Sequence, residues 1–150
     1  MNPKTPKALL NGHENLFRNI ESIVSLGGDI GESAKLLADI SYPHFKREEE
    51  YALPPLSLLL AISEGNWEIE SQAAITMAEK LEAKLLEMKK EHDKICEILE
   101  NLDAFSETTN NQKIKLFVND LKLHIEMEEQ VLYPATILIG EYLKNKNPKN

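Results

Sequence analysis

The sequence contains a single cysteine, Cys96, so no disulfide can form within the chain. Nothing therefore indicates an oxidising compartment, and we expect a cytoplasmic protein. Long apolar runs are also missing, because the most apolar window, LPPLSLLLAIS, is too short to span a bilayer and has two prolines near its start. The N-terminal residues MNPKTPKALLNGHENL reach a polar run before the apolar core of a signal peptide could form. We expect neither a membrane span nor a leader.

Basic residues are scarce relative to acidic ones. The chain has 17 lysines and arginines against 25 aspartates and glutamates, a formal net charge of −8. Such a surface repels nucleic acid and favours solubility, so no nucleic-acid partner is expected. The one basic stretch, LKNKNPKN at the C-terminus, is interpreted as a frayed end rather than a nucleic-acid-binding arm.

No segment shows the sustained two-residue alternation of β-strands, and helix signals dominate. Apolar residues recur at three- and four-residue steps in four stretches, which predicts an all-α protein. At 150 residues the chain is the size of one domain, so we assign residues 1–150 to a single domain. Glycine-rich and polar turn sequences separate the stretches. The predicted helices run roughly over 5–27, 30–53, 68–105 and 110–143.

One motif is written twice, as HFKREEEYALPP from His44 and as HIEMEEQVLYPA from His124. Each copy runs His, three residues, Glu-Glu, and then a proline ten places after the histidine. The histidine and the first glutamate, four residues apart, lie on the same helix face about 6 Å apart along the axis. Both fall on the apolar seam of their predicted helix, the row of apolar residues at three- and four-residue steps that faces the core. The two remaining histidines, His13 and His92, also lie on such a seam. Every histidine of the chain is therefore predicted to point inward.

The distances of the histidines from the turns predict that they meet. His13 lies fourteen residues before Gly27 and His44 thirteen after Gly31, so an antiparallel pair places both on the order of 20 Å from the turn. The second hairpin repeats this spacing around its own turn with His92 and His124. If the hairpins pack as a four-helix bundle, one level of its core contains six polar side chains: His13, His44, Glu48, His92, His124 and Glu128.

A single histidine on an apolar seam is usually a satisfied core residue. Six polar groups at one level require another explanation, because two buried carboxylates without counter-charges cost several kcal/mol each. A divalent metal resolves the conflict, and imidazole with carboxylate suits iron, manganese or zinc. Six donors fit two ions better than one, with two imidazoles for each ion and both carboxylates bridging. Positions then remain for an oxo or hydroxo bridge and for an exogenous ligand.

These motifs resemble the hemerythrin family, specifically its HHE cation-binding branch. The resemblance covers nearly the whole chain, from GHENLF through HFKREEEYALPP and EHDKICEIL to HIEMEEQVLYPATILIG. It implies an up-down-up-down four-helix bundle holding a non-haem di-iron centre. By this resemblance the terminal metal ligands are His13, His44, His92 and His124, and the bridging ligands are Glu48 and Glu128.

The chain departs from the oxygen-carrying hemerythrins, which use five histidine ligands, because it contains four histidines in all. The set is similar to that of the iron-cluster-repair and stress-related branch, which is associated with nitric oxide and peroxide and usually has an extra cysteine-bearing domain. One hypothesis is therefore a module that binds or senses oxygen, nitric oxide or peroxide, with no known protein partner. A second is an enzyme that turns over peroxide or nitric oxide or repairs iron clusters. A third is a structural site loaded with zinc or manganese.

Residues beside the six candidates allow two interpretations each. Glu49 and Glu129, one step off the seam, either accept hydrogen bonds from ligand imidazoles or belong to a solvated helix face. Tyr51 follows Glu48 by one turn on the inward-facing seam of its helix. In the second copy of the motif, the same spacing predicts that Val131 faces inward after Glu128. Cys96 lies off the seam of His92, which favours an inert thiol over a metal ligand.

Overall fold

The computed structural model describes residues 2–66 and 71–146, and within these ranges the protein is helical without a β-strand. The all-α prediction is confirmed. Residues 68–70, where the third helix is predicted to begin, lie outside the described ranges. No helix in the described part of the chain is both long and apolar enough to cross a membrane. The α-helices are α1 (Lys7–Val24), α2 (Gly28–Arg47), α3 (Leu59–Ser63), α4 (Ser71–Thr108), α5 (Gln112–Met127) and α6 (Tyr133–Lys146).

The long helices form the predicted up-down-up-down bundle. Helix α4 packs against α2, α5 and α6, whereas α1 packs closely on α2 and only loosely on α5. Gly27 and Gly28 connect α1 to α2 with φ angles of 69° and 62°, a backbone conformation that favours glycine. At the opposite turn the side chain of Asn111 caps α5 by accepting a hydrogen bond from the Ile114 N–H.

Both copies of the repeated motif leave α-helical geometry at their first glutamate. A π-helical turn spans Glu48–Ala52 after α2, and a second spans Glu128–Leu132 between α5 and α6. Each π turn ends two residues before the motif's proline, Pro54 or Pro134. Proline lacks an N–H and its ring crowds the carbonyl four residues back, and a wider turn relieves both conflicts. The π turn accommodates an extra residue, so it changes which later residues face the core.

The seam prediction after Glu128 was wrong for this reason. Val131 is 56% exposed, whereas Tyr133, five residues after Glu128, is fully buried. A regular α-helix brings the third or fourth residue back to one face, but the π turn brings the fifth. Tyr133 therefore takes the inward position that the seam assigned to Val131.

The buried polar residues lie between two apolar clusters. One cluster, towards the α1–α2 and α4–α5 turns, includes Leu37, Phe45 and Leu99. The other, towards the opposite end, includes Leu53, Leu81 and Met88. Gly140 lets α6 approach α4 closely, because a Cβ there would lie 2.5 Å from the Cβ of Ala78. The bundle thus encloses a polar layer in an apolar interior.

Candidate metal centre

The structure brings together all six side chains that the sequence nominated. They come from α1, from α2 and its π turn, from α4, and from α5 and its π turn. One nitrogen or oxygen atom from each residue forms two overlapping groups, and within each group these atoms lie within 4.8 Å of one another. Both carboxylates belong to both groups. The two groups are His13, Glu48, His124 and Glu128, and His44, Glu48, His92 and Glu128.

Glu48 divides its two oxygens between the groups. Oε1 lies 2.7 Å from Nε2 of His44, and Oε2 lies 3.7 Å from Nε2 of His13. The first distance is set within one helix, since His44 and Glu48 are four residues apart. A carboxylate with one oxygen directed at each histidine pair has the orientation of a bridging ligand.

Glu128 repeats the arrangement from the second hairpin. Its Oε1 lies 3.2 Å from Nε2 of His92, and its Oε2 lies 3.1 Å from Nε2 of His124. The two copies of the motif therefore contribute equivalent carboxylates to one site. Each histidine pair is drawn from both hairpins, because His13 is grouped with His124 and His44 with His92.

Three further carboxylates contact the outer nitrogens of the histidines. Nδ1 of His13 lies 2.8 Å from Glu49, and Nδ1 of His92 lies 3.2 Å from Glu129. For these two glutamates the structure favours the imidazole-contact interpretation over the solvated face. Nδ1 of His44 lies 3.5 Å from Glu91, which also pairs with Arg47. The hydrogen bonds to Glu49 and Glu129 favour a proton on Nδ1 of His13 and of His92, with Nε2 of each ring directed inward.

Sequence reasoning missed Glu91, because it precedes His92 by one residue and belongs to neither copy of the motif. Its carboxylate reaches His44 only because α2 and α4 are neighbours in the bundle. The ring of Phe45 is stacked on that of His13, with centroids 4.4 Å apart, which restricts the orientation of this imidazole.

Tyr133 is the second residue that the sequence did not nominate. Its hydroxyl oxygen lies 3.3 Å from Nε2 of His92 and 3.5 Å from Nε2 of His44, and its ring is stacked on that of His92. Tyr51 instead donates its hydroxyl to the sulfur of Met88, 3.6 Å away. The proline that accompanies each π turn is the sequence signal that could have indicated the inward position of Tyr133.

The donor atoms fit a bound cation better than a metal-free core. Nε2 of His44 and Nε2 of His92 are only 2.9 Å apart, so without a cation these two metal-binding nitrogens have each other as hydrogen-bond partners. Glu48 and Glu128 each direct two carboxylate oxygens inward. Within the described residues, none of these four oxygens has a hydrogen-bond partner. Nε2 of His13 and Nε2 of His124 are also without one. A cation bound by these atoms would satisfy the carboxylate oxygens and imidazole nitrogens that have no hydrogen-bond partner.

Burial controls proton occupancy in the metal-free site. Desolvation, together with the neighbouring Glu128, raises the pKa of Glu48 well above its usual value. For Glu128, desolvation is outweighed by contacts with Glu48, His124 and His92, which lower its pKa. Burial and the nearby His92 lower the pKa of His44 to about 4. The raised pKa of Glu48 favours a proton at the carboxylate pair, and the lowered pKa of His44 leaves its imidazole neutral at neutral pH.

Metal binding is expected to release a proton from Glu48. A ligand must be deprotonated to bind, so affinity rises with pH wherever the metal-free site holds a proton, by about tenfold per pH unit for each proton released. His44 contributes no such dependence at neutral pH, because its lowered pKa leaves it neutral there. His92 is a second source of released protons, because Glu128 and Glu129 outweigh its burial and raise its pKa. Calorimetric titration with zinc in buffers of different ionisation enthalpy measures the number of protons released, and a heat independent of the buffer would contradict both raised pKa values.

The contact between Glu49 and His13 gives a separate prediction. Glu49→Ala should lower the affinity for the metal ion on the His13 side by about 10- to 100-fold, because the His13 imidazole loses the hydrogen-bond acceptor that orients it. Glu50→Ala is the matched control, since Glu50 is exposed and pairs with Lys80 rather than with the site. Chelator competition measures both affinities, and equal values for the two variants would exclude a role for Glu49.

Comparison with known proteins identifies the family. The sequence-family model of the hemerythrin HHE cation-binding domain matches residues 7–136, and this span contains all six candidate ligands. Comparisons with curated proteins and with solved structures find no match for this chain. The family match and the buried histidine–glutamate cluster together support a cation-binding site.

Proposed function

This chain belongs to the hemerythrin family of HHE cation-binding domains, and we propose that its cation site is a non-haem centre of two iron ions. His13 and His124 would hold one ion, His44 and His92 would hold the other, and both ions would share Glu48 and Glu128. The observation that carries this proposal is the division of each carboxylate's oxygens between the two histidine pairs.

The donor chemistry supports iron over a soft metal. All six donors are imidazole nitrogens or carboxylate oxygens, and no thiol belongs to either group. Four protein donors for each ion would satisfy tetrahedral zinc, whereas an ion that prefers six ligands would keep positions open for another molecule. A structural site loaded with zinc or manganese is the alternative that metal analysis decides.

We propose that the protein binds a small ligand, oxygen, nitric oxide or peroxide, in an oxygen or nitrosative stress response in the cytoplasm. Bound iron would supply redox chemistry and open coordination positions for such a molecule. Glu49, Glu91 and Glu129 orient the imidazoles, and the apolar clusters on both sides exclude water. The Tyr133 hydroxyl faces the His44–His92 pair and is positioned to donate a hydrogen bond there. No protein partner is assigned.

The number of histidines favours a second candidate function. Four histidines, rather than the five of oxygen carriers in this family, leave one more open position for a reactive ligand. Catalytic removal of peroxide or nitric oxide, or iron-cluster repair, would use that position. Sustained turnover of peroxide or nitric oxide by the iron-loaded protein distinguishes this function from reversible binding.

Metal analysis of protein purified without oxygen tests the di-iron proposal. We expect two irons per chain, and admission of air should produce the near-ultraviolet and visible absorption of a diferric centre. Zinc alone, or a stable colourless bundle without metal, would overturn the redox function while leaving the fold intact.

A further inference from the structure

The two histidine pairs differ in their access to solvent. The His124 side chain is 13% exposed, whereas the side chains of the other five candidate ligands are at most 2% exposed. Nε2 of His124 is itself buried, so solvent meets the outer part of this imidazole, and among the six candidates the pair that contains His124 lies nearest the surface. The other pair, His44 and His92, is buried and has the Tyr133 hydroxyl against both of its Nε2 atoms.

A cleft of 260 Å³ leads from the surface to His124. It lies between α1 and α5, which pack together only loosely. Among the residues that the structure describes, no lysine or arginine lines it. Its lining consists of Gly12, Asn15, Leu16 and Asn19 from α1 and Asp120, Leu123, His124 and Met127 from α5.

Gly12 keeps the cleft open at the level of the site. It lies within α1, directly before His13, and a Cβ built at this position would meet nothing within 4 Å. Its φ angle is not positive, so the backbone does not require glycine. A glycine inside a helix costs roughly 0.5–1 kcal/mol relative to alanine. A methyl group fits in this open space, whereas a large side chain at this position would extend into the cleft beside His124.

We propose that the α1–α5 cleft is the route by which a small neutral molecule reaches the His13–His124 half of the site, with Gly12 setting the width of the passage. The identity of the arriving ligand rests on the proposed function, but the route follows from the protein alone. Leu16, Leu123 and Met127 give the cleft an apolar wall. Asp120 and the absence of a lining cation disfavour anions, so neutral molecules such as oxygen, nitric oxide and hydrogen peroxide are admitted preferentially.

Chemical modification of the metal-free protein tests the route without iron. Diethyl pyrocarbonate acylates neutral imidazoles, and peptide mass mapping follows each of the four histidines separately. His124 should react first. Gly12→Phe should slow its reaction at least about fivefold, because the added ring fills the concave surface that leads to the imidazole.

Gly12→Ala is the matched control, since it makes the same backbone change with a side chain too small to close the cleft. Its His124 should react within about twofold of the wild-type rate. If Gly12→Phe does not fold, Leu123→Trp narrows the cleft from α5, where Leu123 is exposed. A rate for His124 that neither variant slows, or equally fast reaction of His44 and His92, would overturn the route.

Stopped-flow binding of nitric oxide to the reduced, iron-loaded protein tests the same route for a gas. Gly12→Phe should slow association at unchanged iron content, and Gly12→Ala should not. Unchanged association in Gly12→Phe would reject the cleft as the route while leaving the di-iron proposal standing. If the wild-type protein takes up no iron, the proposed function fails, whereas the modification experiment still decides the route.

Discussion

Replacing Glu128 by glutamine is expected to abolish tight binding of both metal ions. One carboxylate oxygen of Glu128 is directed at each histidine pair, so its loss removes a charged donor from both groups. The amide preserves side-chain volume but loses the negative charge that attracts the cations. A ligand present at a thousandfold excess over its dissociation constant stabilises a protein by about 4 kcal/mol, and the variant should lose stabilisation of this size.

Thermal unfolding with and without metal checks this expectation. The metal-free Glu128→Gln variant should lose some stability, because contacts with Glu48, His124 and His92 favour the ionised carboxylate in the metal-free fold and the amide keeps only part of them. The metal-loaded form should lose more, and the metal-dependent increase in unfolding temperature should disappear. Glu126→Gln, an exposed change on the same helix, should retain that increase. Equal destabilisation of both forms by Glu128→Gln would show that Glu128 has a structural role only.

His124→Ala is expected to reduce the stoichiometry from two metal ions to one. His124 belongs only to the group that contains His13, so the group of His44 and His92 keeps all its donors. Because His124 is partly exposed, its truncation also opens less of a cavity than truncation of a core residue. Native mass spectrometry of protein reconstituted with a modest excess of metal measures the number of ions bound.

His92→Ala provides the reciprocal variant, since His92 belongs only to the other group. It should also retain one ion, now on the side of His13 and His124. Two tightly bound ions in either variant would refute the ligand assignment. Loss of both ions from His124→Ala would contradict the division of the histidines into two separate pairs.

The repeated motif and the hairpin spacing were sufficient to predict that six side chains converge. His44 and Glu48 share a face because four residues nearly complete a helical turn, and the same holds for His124 and Glu128. The structure brings these side chains and the two remaining histidines together. Their assignment as metal ligands remains a prediction, which the three ligand variants above test.

The helix leaves its regular period after Glu128, and the residue predicted to face inward there was wrong for this reason. Extending the α-helical seam past Glu128 selected Val131, whereas the π turn buries Tyr133 against His44 and His92. Glu91 was missed for another reason, because its contact with His44 crosses from α4 to α2. A contact between helices depends on how they are placed side by side, which the period along one helix does not specify.

The sequence by itself determined the helical class, the four inward-facing histidines and the level at which they meet. Each of these follows from residue spacing, since a helix advances 1.5 Å and turns 100° per residue. Tertiary structure alone decided that His13 is grouped with His124 and His44 with His92, and that His124 is the ligand candidate open to solvent. The position of a residue along its helix axis depends only on the sequence of that helix and its adjoining turn. Lateral pairing and exposure depend on how the two hairpins pack around a common core.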